Sequence, residues 1–293
     1  MRRRPGTRRI SAYTAFLIQA CFISWVGWMP ALLLGPTQGY AHVHGLSLLE
    51  AGWPRFSGGV QLAVALLFVS GAYGALLSGL GVTARLGGSE GIRLLILRLR
   101  TWRVPVRWYL AAFGLPVLLI LPAAALARAQ GIVAAAPPLG AWAAPVVFLF
   151  HLLTIATQEV GWRGLALPLL QRTRSAEQAA YQTGAGWIVW LLPYLMALYA
   201  GRIEPQLYAL HLLGWVLTLL GASVIQAWLY NSTASLVLSA LYSATMMTVW
   251  VMAAGILNWQ PAAQLVLGST TWLAAWLIIR RRGQQGLMHR QAG

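Results

Sequence analysis

The chain has 293 residues, 59% hydrophobic and 9% charged, with 21 basic residues, all arginine, against 5 acidic ones, all glutamate, for a net charge of +16. A soluble domain carries about 25% charged residues, so this composition excludes a water-soluble globular protein. The arginines fall in blocks flanking apolar stretches rather than on one solvated face interleaved with aromatic residues, which argues for membrane and against nucleic acid as the partner.

A helix crossing the hydrocarbon core needs about 20 mostly apolar residues. The N-terminal MRRRPGTRR is followed by an apolar stretch from Ile10 to about Leu34, too long for a cleaved signal core, and reads as a retained first span. It contains Cys21, the single cysteine, which can form no intramolecular disulfide and reads as a small core residue. Further stretches at 57–83, 107–128, 140–160, 179–200, 207–230, 234–256 and 260–281 complete a set of eight. The expected fold is therefore all-α, a polytopic transmembrane helical bundle forming one integral membrane domain over residues 1–293, embedded in the lipid bilayer. Internal Pro30, Pro116 and Pro193 and several glycines fit helices that kink and pack closely in lipid.

Between the spans, the loop from Gly35 to Phe56 holds His42, His44 and Glu50. Two histidines leave a metal site half built, and a solvated interfacial loop is the simpler reading. The stretch EGIRLLILRLRTWRVPVRW, Glu90 to Trp108, mixes Leu and Ile with Arg. It reads as an amphipathic helix lying on the anionic inner leaflet, with Trp102 and Trp108 at headgroup depth. Arginine placement gives the orientation: with the N-terminus inside, 18 of the 21 lie on the inner side and only Arg55, Arg128 and Arg202 outside. Eight spans with both termini cytoplasmic, in the cell membrane, is the expected topology.

Ionisable residues within a span are expensive and raise a functional question by default. The fourth span concentrates them, running from His151 through Gln158 and Glu159 to Arg163. Glu159 and Arg163 are four residues apart on one helical face in the favourable order, so they can neutralise each other as a buried pair that orients the bundle.

The stretch QEVGWRGLALPLLQ, Gln158 to Gln171, resembles the first motif, EExGWRGxLLPxLQ, of the CPBP intramembrane metalloproteases, which include CAAX prenyl endopeptidases and bacteriocin-processing proteins. TWRVPVRWYLAAF (Thr101 to Phe113) looks like the family's basic entry into an early span. Trp187-IVW-Leu191-Leu192-Pro193 stands where the family writes WxxWHxP, and AWLYNSTASLVLSALYSATMM (Ala227 to Met247) where it writes TWLYNRTGSLxPAILxHxxxN. The likeness covers roughly residues 100–250 in order and spacing.

The resemblance implies an intramembrane peptidase scaffold whose partner is a prenylated or otherwise membrane-associated peptide or protein, with zinc as the implied metal. In the family two Glu, two His and an Asn converge to activate water and stabilise an oxyanion. Carried over, these are Gln158, Glu159, Leu191, Ser243 and Met247, with Arg163 as the motif arginine, so only Glu159 and Arg163 are retained. Gln158 cannot serve as a base, and Leu191 and Met247 can neither ligate zinc as His does nor donate a hydrogen bond. Two readings follow: a catalytically impaired or inactive relative that binds without cutting and holds no cofactor, or an active endopeptidase with a site rebuilt around Glu159. His151, seven residues before Gln158, is the candidate for such a rebuilt site, while His211 near the outer end of the sixth span is expected to be a buried, hydrogen-bonded histidine.

Overall fold

The structure, a computed structural model, describes residues 11–34, 58–131, 143–199, 203–257 and 260–286. These form α1 (Ala12–Leu34), α2 (Gly59–Gly71), α3 (Gly74–Leu99), α4 (Val106–Ala129), α5 (Ala143–Gln171), α6 (Ala176–Tyr199), α7 (Pro205–Thr233), α8 (Leu236–Leu257) and α9 (Pro261–Gly286). No strand occurs among the described residues, and the all-α polytopic bundle is the fold. His42, His44 and Glu50 lie outside the described residues.

Six helices, α1, α4, α5, α7, α8 and α9, are long and apolar enough to cross a membrane, and α2 with α3, bent by 49° at the break between them, makes a seventh if counted as one span. The chain is thus a multi-pass membrane protein. The expected fifth span is α6, a helix of 24 residues that falls short of the same apolarity. Its first half carries Glu177, Gln178, Gln182 and Thr183, and its Thr183, Trp187 and Trp190 are buried by neighbouring helices. A helix covered by protein need not be apolar all round, which is why it reads weakly as a span.

Polarity in the bundle is inverted relative to a soluble protein. Ile18, Phe22 and Val26 on α1 and Leu110, Leu118 and Leu121 on α4 face outward, whereas Gln158, Glu159, Arg163, Gln226 and Gln264 are almost wholly buried. Lipid solvates the first set; the second set must find partners inside. Small residues allow the backbones to approach. A Cβ on Gly214 would lie 2.7 Å from the carbonyl carbon of Gln264, and one on Gly221 would lie 2.8 Å from that of Thr271, so α7 and α9 meet backbone to backbone. Gln264 Nε2 donates to Thr218 Oγ1 across the same seam at 3.3 Å. On the other side Gly27 of α1 approaches Gly71, and Ser78 Oγ of α3 donates to Phe16 O at 2.8 Å.

One expectation is extended and another corrected. The apolar stretch expected at 140–160 belongs to a helix, α5, that continues to Gln171, with Glu159 and Arg163 paired inside the bundle. The Glu90–Trp108 stretch is not one surface helix. Helical structure ends at Leu99, and Pro105 precedes the first turn of α4, where Trp108 is buried with its ring 5.1 Å from that of Trp228. Trp102 alone of the two tryptophans is exposed. The earlier part of α3 also breaks, at Gly88, whose φ of 57° lies in the left-handed region open to glycine.

Candidate functional site

The second half of α5 departs from a regular helix, and its side chains show why. Thr154 Oγ1 donates to Phe150 O at 2.8 Å and Thr157 Oγ1 to Thr154 O at 2.6 Å, local bonds that compete with the main-chain ladder. A 3₁₀ turn follows over Ala156–Gln158, then an α turn over Glu159–Gly161 and a π turn over Trp162–Ala166. Pro168 has no N–H to give the carbonyl four residues back, and its ring would press on that carbonyl in a regular helix. That carbonyl is Gly164 O, and Arg98 Nη1 reaches across from the end of α3 to donate to it at 2.8 Å. The wide turn is therefore held open by a proline on one side and closed electrostatically by an arginine on the other.

Glu159 and Arg163 lie in this irregular stretch with side chains 1% and 0% exposed. Arg163 Nη1 is 3.1 Å from Glu159 Oε2 and donates to Oε1 at 3.3 Å. Ser243 Oγ of α8 donates to Glu159 Oε1 at 2.7 Å and accepts from Gln226 Nε2 of α7 at 3.1 Å. On the arginine side, Nη2 donates to Ser223 Oγ at 3.4 Å, and Ser223 Oγ donates in turn to Ala180 O at 2.8 Å. The guanidinium carbon also sits 4.9 Å from the centroid of the Trp187 ring, a cation–π contact in a desolvated setting. Four helices, α5 to α8, are thereby tied through one ion pair. Gln226 Oε1, Tyr242 Oη and Arg163 Nε are buried there without a hydrogen-bond partner among the described residues.

Beside this network lies a partly open cavity lined by residues of α1, α2, α5, α6, α7 and α8. Gln158, Leu191 and Met247 line it together with His151. Trp187 stands between the two regions: one part of its ring lines the cavity, Arg163 lies over it, and its Nε1 donates to Gln158 Oε1 at 3.2 Å.

The sequence-derived site residues therefore divide. Glu159, Arg163 and Ser243 come together in the buried network, while Gln158, Leu191 and Met247 meet around the cavity. His151 joins the second group: its Nδ1 is 3.0 Å from Thr248 Oγ1, and its structure links it to α8 rather than to Glu159. His211 is buried as expected, accepting from Trp215 Nε1 at 3.2 Å with its ring edge-on to Tyr199. Cys21 is buried as a free thiol. Sequence reasoning missed Ser223 and Gln226, polar residues inside an apolar span, a signal that could have flagged them, and had Trp187 only as a motif position.

The donor set does not fit zinc. Leu191 and Met247 offer an alkyl group and a thioether, the Ser243 hydroxyl is committed to Glu159, and no group of three or more His, Cys, Asp or Glu comes together among the described residues. What the arrangement does chemically is hold a carboxylate and a guanidinium fixed and mutually neutralised in a water-poor interior. The chain matches no protein-family model, and no curated protein is similar to it in sequence.

Proposed function

We propose that the chain is a non-catalytic relative of the CPBP intramembrane proteases: a helical scaffold in the cell membrane, crossing it eight times with both termini cytoplasmic, that binds a membrane-associated peptide or protein without cutting it. The observation that carries this reading is the engagement of Glu159. Its carboxylate is bound by Arg163 and Ser243, and Trp187 stands between that pair and the cavity where Leu191 and Met247 replace polar groups. A general base needs a free lone pair within reach of the proton it removes, and an oxyanion needs aimed donors. Leu191 and Met247 offer neither, and Glu159, whose Oε2 has no hydrogen-bond partner, is buried against Arg163 and does not line the cavity. The long order-preserving likeness from Thr101 to Met247 supports descent from the same scaffold.

The test is cleavage in proteoliposomes. Wild-type protein, offered a prenylated CAAX peptide, is expected to release no product, with or without a chelator. Product formed by the wild type and lost in Glu159→Ala would overturn the reading in favour of an endopeptidase rebuilt around Glu159.

A further inference from the structure

The turn that joins α3 to α4 carries cations that the bundle does not use. Residues 100–107 read RTWRVPVR; Arg100, Arg103 and Arg107 are exposed, and so is Trp102, at 57%. The ion pairs among the described residues join Arg93 to Glu90 and Arg163 to Glu159, so these three guanidinium groups have no carboxylate there. Their backbone is nevertheless fixed. Thr101 Oγ1 donates to Leu97 O at 3.2 Å at the end of α3, and Ser235 Oγ, from the turn between α7 and α8, donates to Thr101 O. Trp102 O accepts from Val104 N at 3.0 Å and from Tyr109 Oη of α4. The Arg103 guanidinium carbon lies 5.1 Å from the centroid of the Trp102 ring, and that of Arg107 lies 5.6 Å from the Trp108 ring.

The depth of this turn follows from the helix it opens. α4 is apolar enough to cross a membrane, and Val106 and Leu110 in its first turns are 72% and 68% exposed. The end of a lipid-facing span lies at the boundary between hydrocarbon and head groups, so the turn is held at the level of the lipid phosphates. We propose that it is a binding surface for anionic phospholipid. A guanidinium presents paired donors that match phosphate oxygens, and each of the three can engage a different lipid, so no single head group has to be reached by all of them. A zwitterionic lipid brings its own cation beside the phosphate and gains less from the uncompensated arginines. A free phosphate ion lacks the acyl chains that Val106 and Leu110 would meet. Because hydrogen bonds from Tyr109 and Ser235 already hold the main chain, binding orders little more than side chains, which distinguishes this surface from a loose basic tail. The inference does not depend on how Glu159 is used.

The test uses the full chain, delipidated in neutral detergent and titrated with phosphatidylglycerol or with phosphatidylcholine of the same acyl chains, bound lipid being counted by native mass spectrometry. Phosphatidylglycerol is expected to bind more tightly, and added salt to narrow the difference. Each arginine near an anionic surface contributes about fivefold in affinity, so the triple variant Arg100→Gln, Arg103→Gln, Arg107→Gln should lose on the order of a hundredfold of that preference. If the triple variant unfolds early, Arg100→Gln with Arg103→Gln, both outside the regular part of α4, should lose about 25-fold. A control removes the same charge elsewhere: Arg172, Arg174 and Arg281, also exposed, changed together to Gln should keep the preference. Equal binding of the two lipids overturns the proposal, and so does an equal loss in the control, which would mark a general field of positive charge. Displacement of phosphatidylglycerol by inorganic phosphate at equal concentration would also overturn it, since the site would then take the free anion.

Discussion

Replacing Glu159 and Arg163 singly and together by glutamine tests whether they act as one unit. With side chains 1% and 0% exposed, neither charge can be rescued by water in place. Glu159→Gln leaves the guanidinium with Ser223 at 3.4 Å and the Trp187 ring; Arg163→Gln leaves the carboxylate with Ser243 at 2.7 Å. Breaking a buried pair on one side costs about 3–5 kcal/mol, because the surviving charge stays desolvated. For a chain of this size that loss lowers the unfolding midpoint by roughly 10 °C, at about 2–4 °C per kcal/mol. The double variant buries two neutral amides, the one at 163 shorter than the guanidinium it replaces. It is expected to recover much of the loss, giving a coupling energy of at least about 2 kcal/mol, near the upper part of the usual range for groups in contact. The assay is thermal unfolding at fixed detergent, followed by tryptophan emission for all four proteins. Additivity to within about 0.5 kcal/mol would refute the coupling and with it the view that this pair ties α5 to its neighbours.

Gly161 meets Ala75 O of α3 so closely that a Cβ there would also fall 2.8 Å from Phe16 Cε2; Gly161→Val should destabilise by about 3 kcal/mol or more, whereas Gly81→Ala, in open space, should be neutral or better in the same unfolding assay. Arg98→Gln should leave Gly164 O without its arginine donor and cost about 1.5–3 kcal/mol, a loss that Arg98→Lys should partly restore; an unchanged midpoint for both would show that the wide turn does not need closing. In a Cys21→Ala background, a membrane-impermeant thiol reagent applied from outside should label His42→Cys and leave Ser89→Cys unlabelled, and labelling of position 89 would reverse the orientation drawn from the arginines.

The Glu159–Arg163 pair was legible because both its spacing and its cost in an apolar stretch are properties of one helix. Ser243 was legible only as a position in a motif; that its hydroxyl would bind Glu159 required α8 to be set against α5, 84 residues apart in the chain. Trp108 was misplaced for the same kind of reason. A tryptophan among arginines matches a headgroup anchor, and only the arrival of Trp228 from α7 decides that it is buried. The turns within α5 were likewise hidden, since hydropathy registers how apolar a stretch is and not where its axis breaks, whereas the α2–α3 break falls between Gly71 and Gly74, two of the glycines expected to kink or pack closely.

Hydropathy and arginine placement by themselves determined the solvent of this protein, the all-α class and the approximate position of each apolar helix, because in a bilayer every backbone group must be satisfied within its own segment. The tertiary structure decided which polar atoms meet. It spent Ser243 and Ser223 on the ion pair, turned Gln158 toward Trp187 and His151 toward Thr248, and gathered Leu191 and Met247 into a common wall. Those outcomes depend on helix rotation and on close approach at glycines such as Gly79 against Gly161, where a Cβ would come within 2.7 Å of the facing Cα. A shift of a few ångströms there would leave every span in place and assemble a different interior.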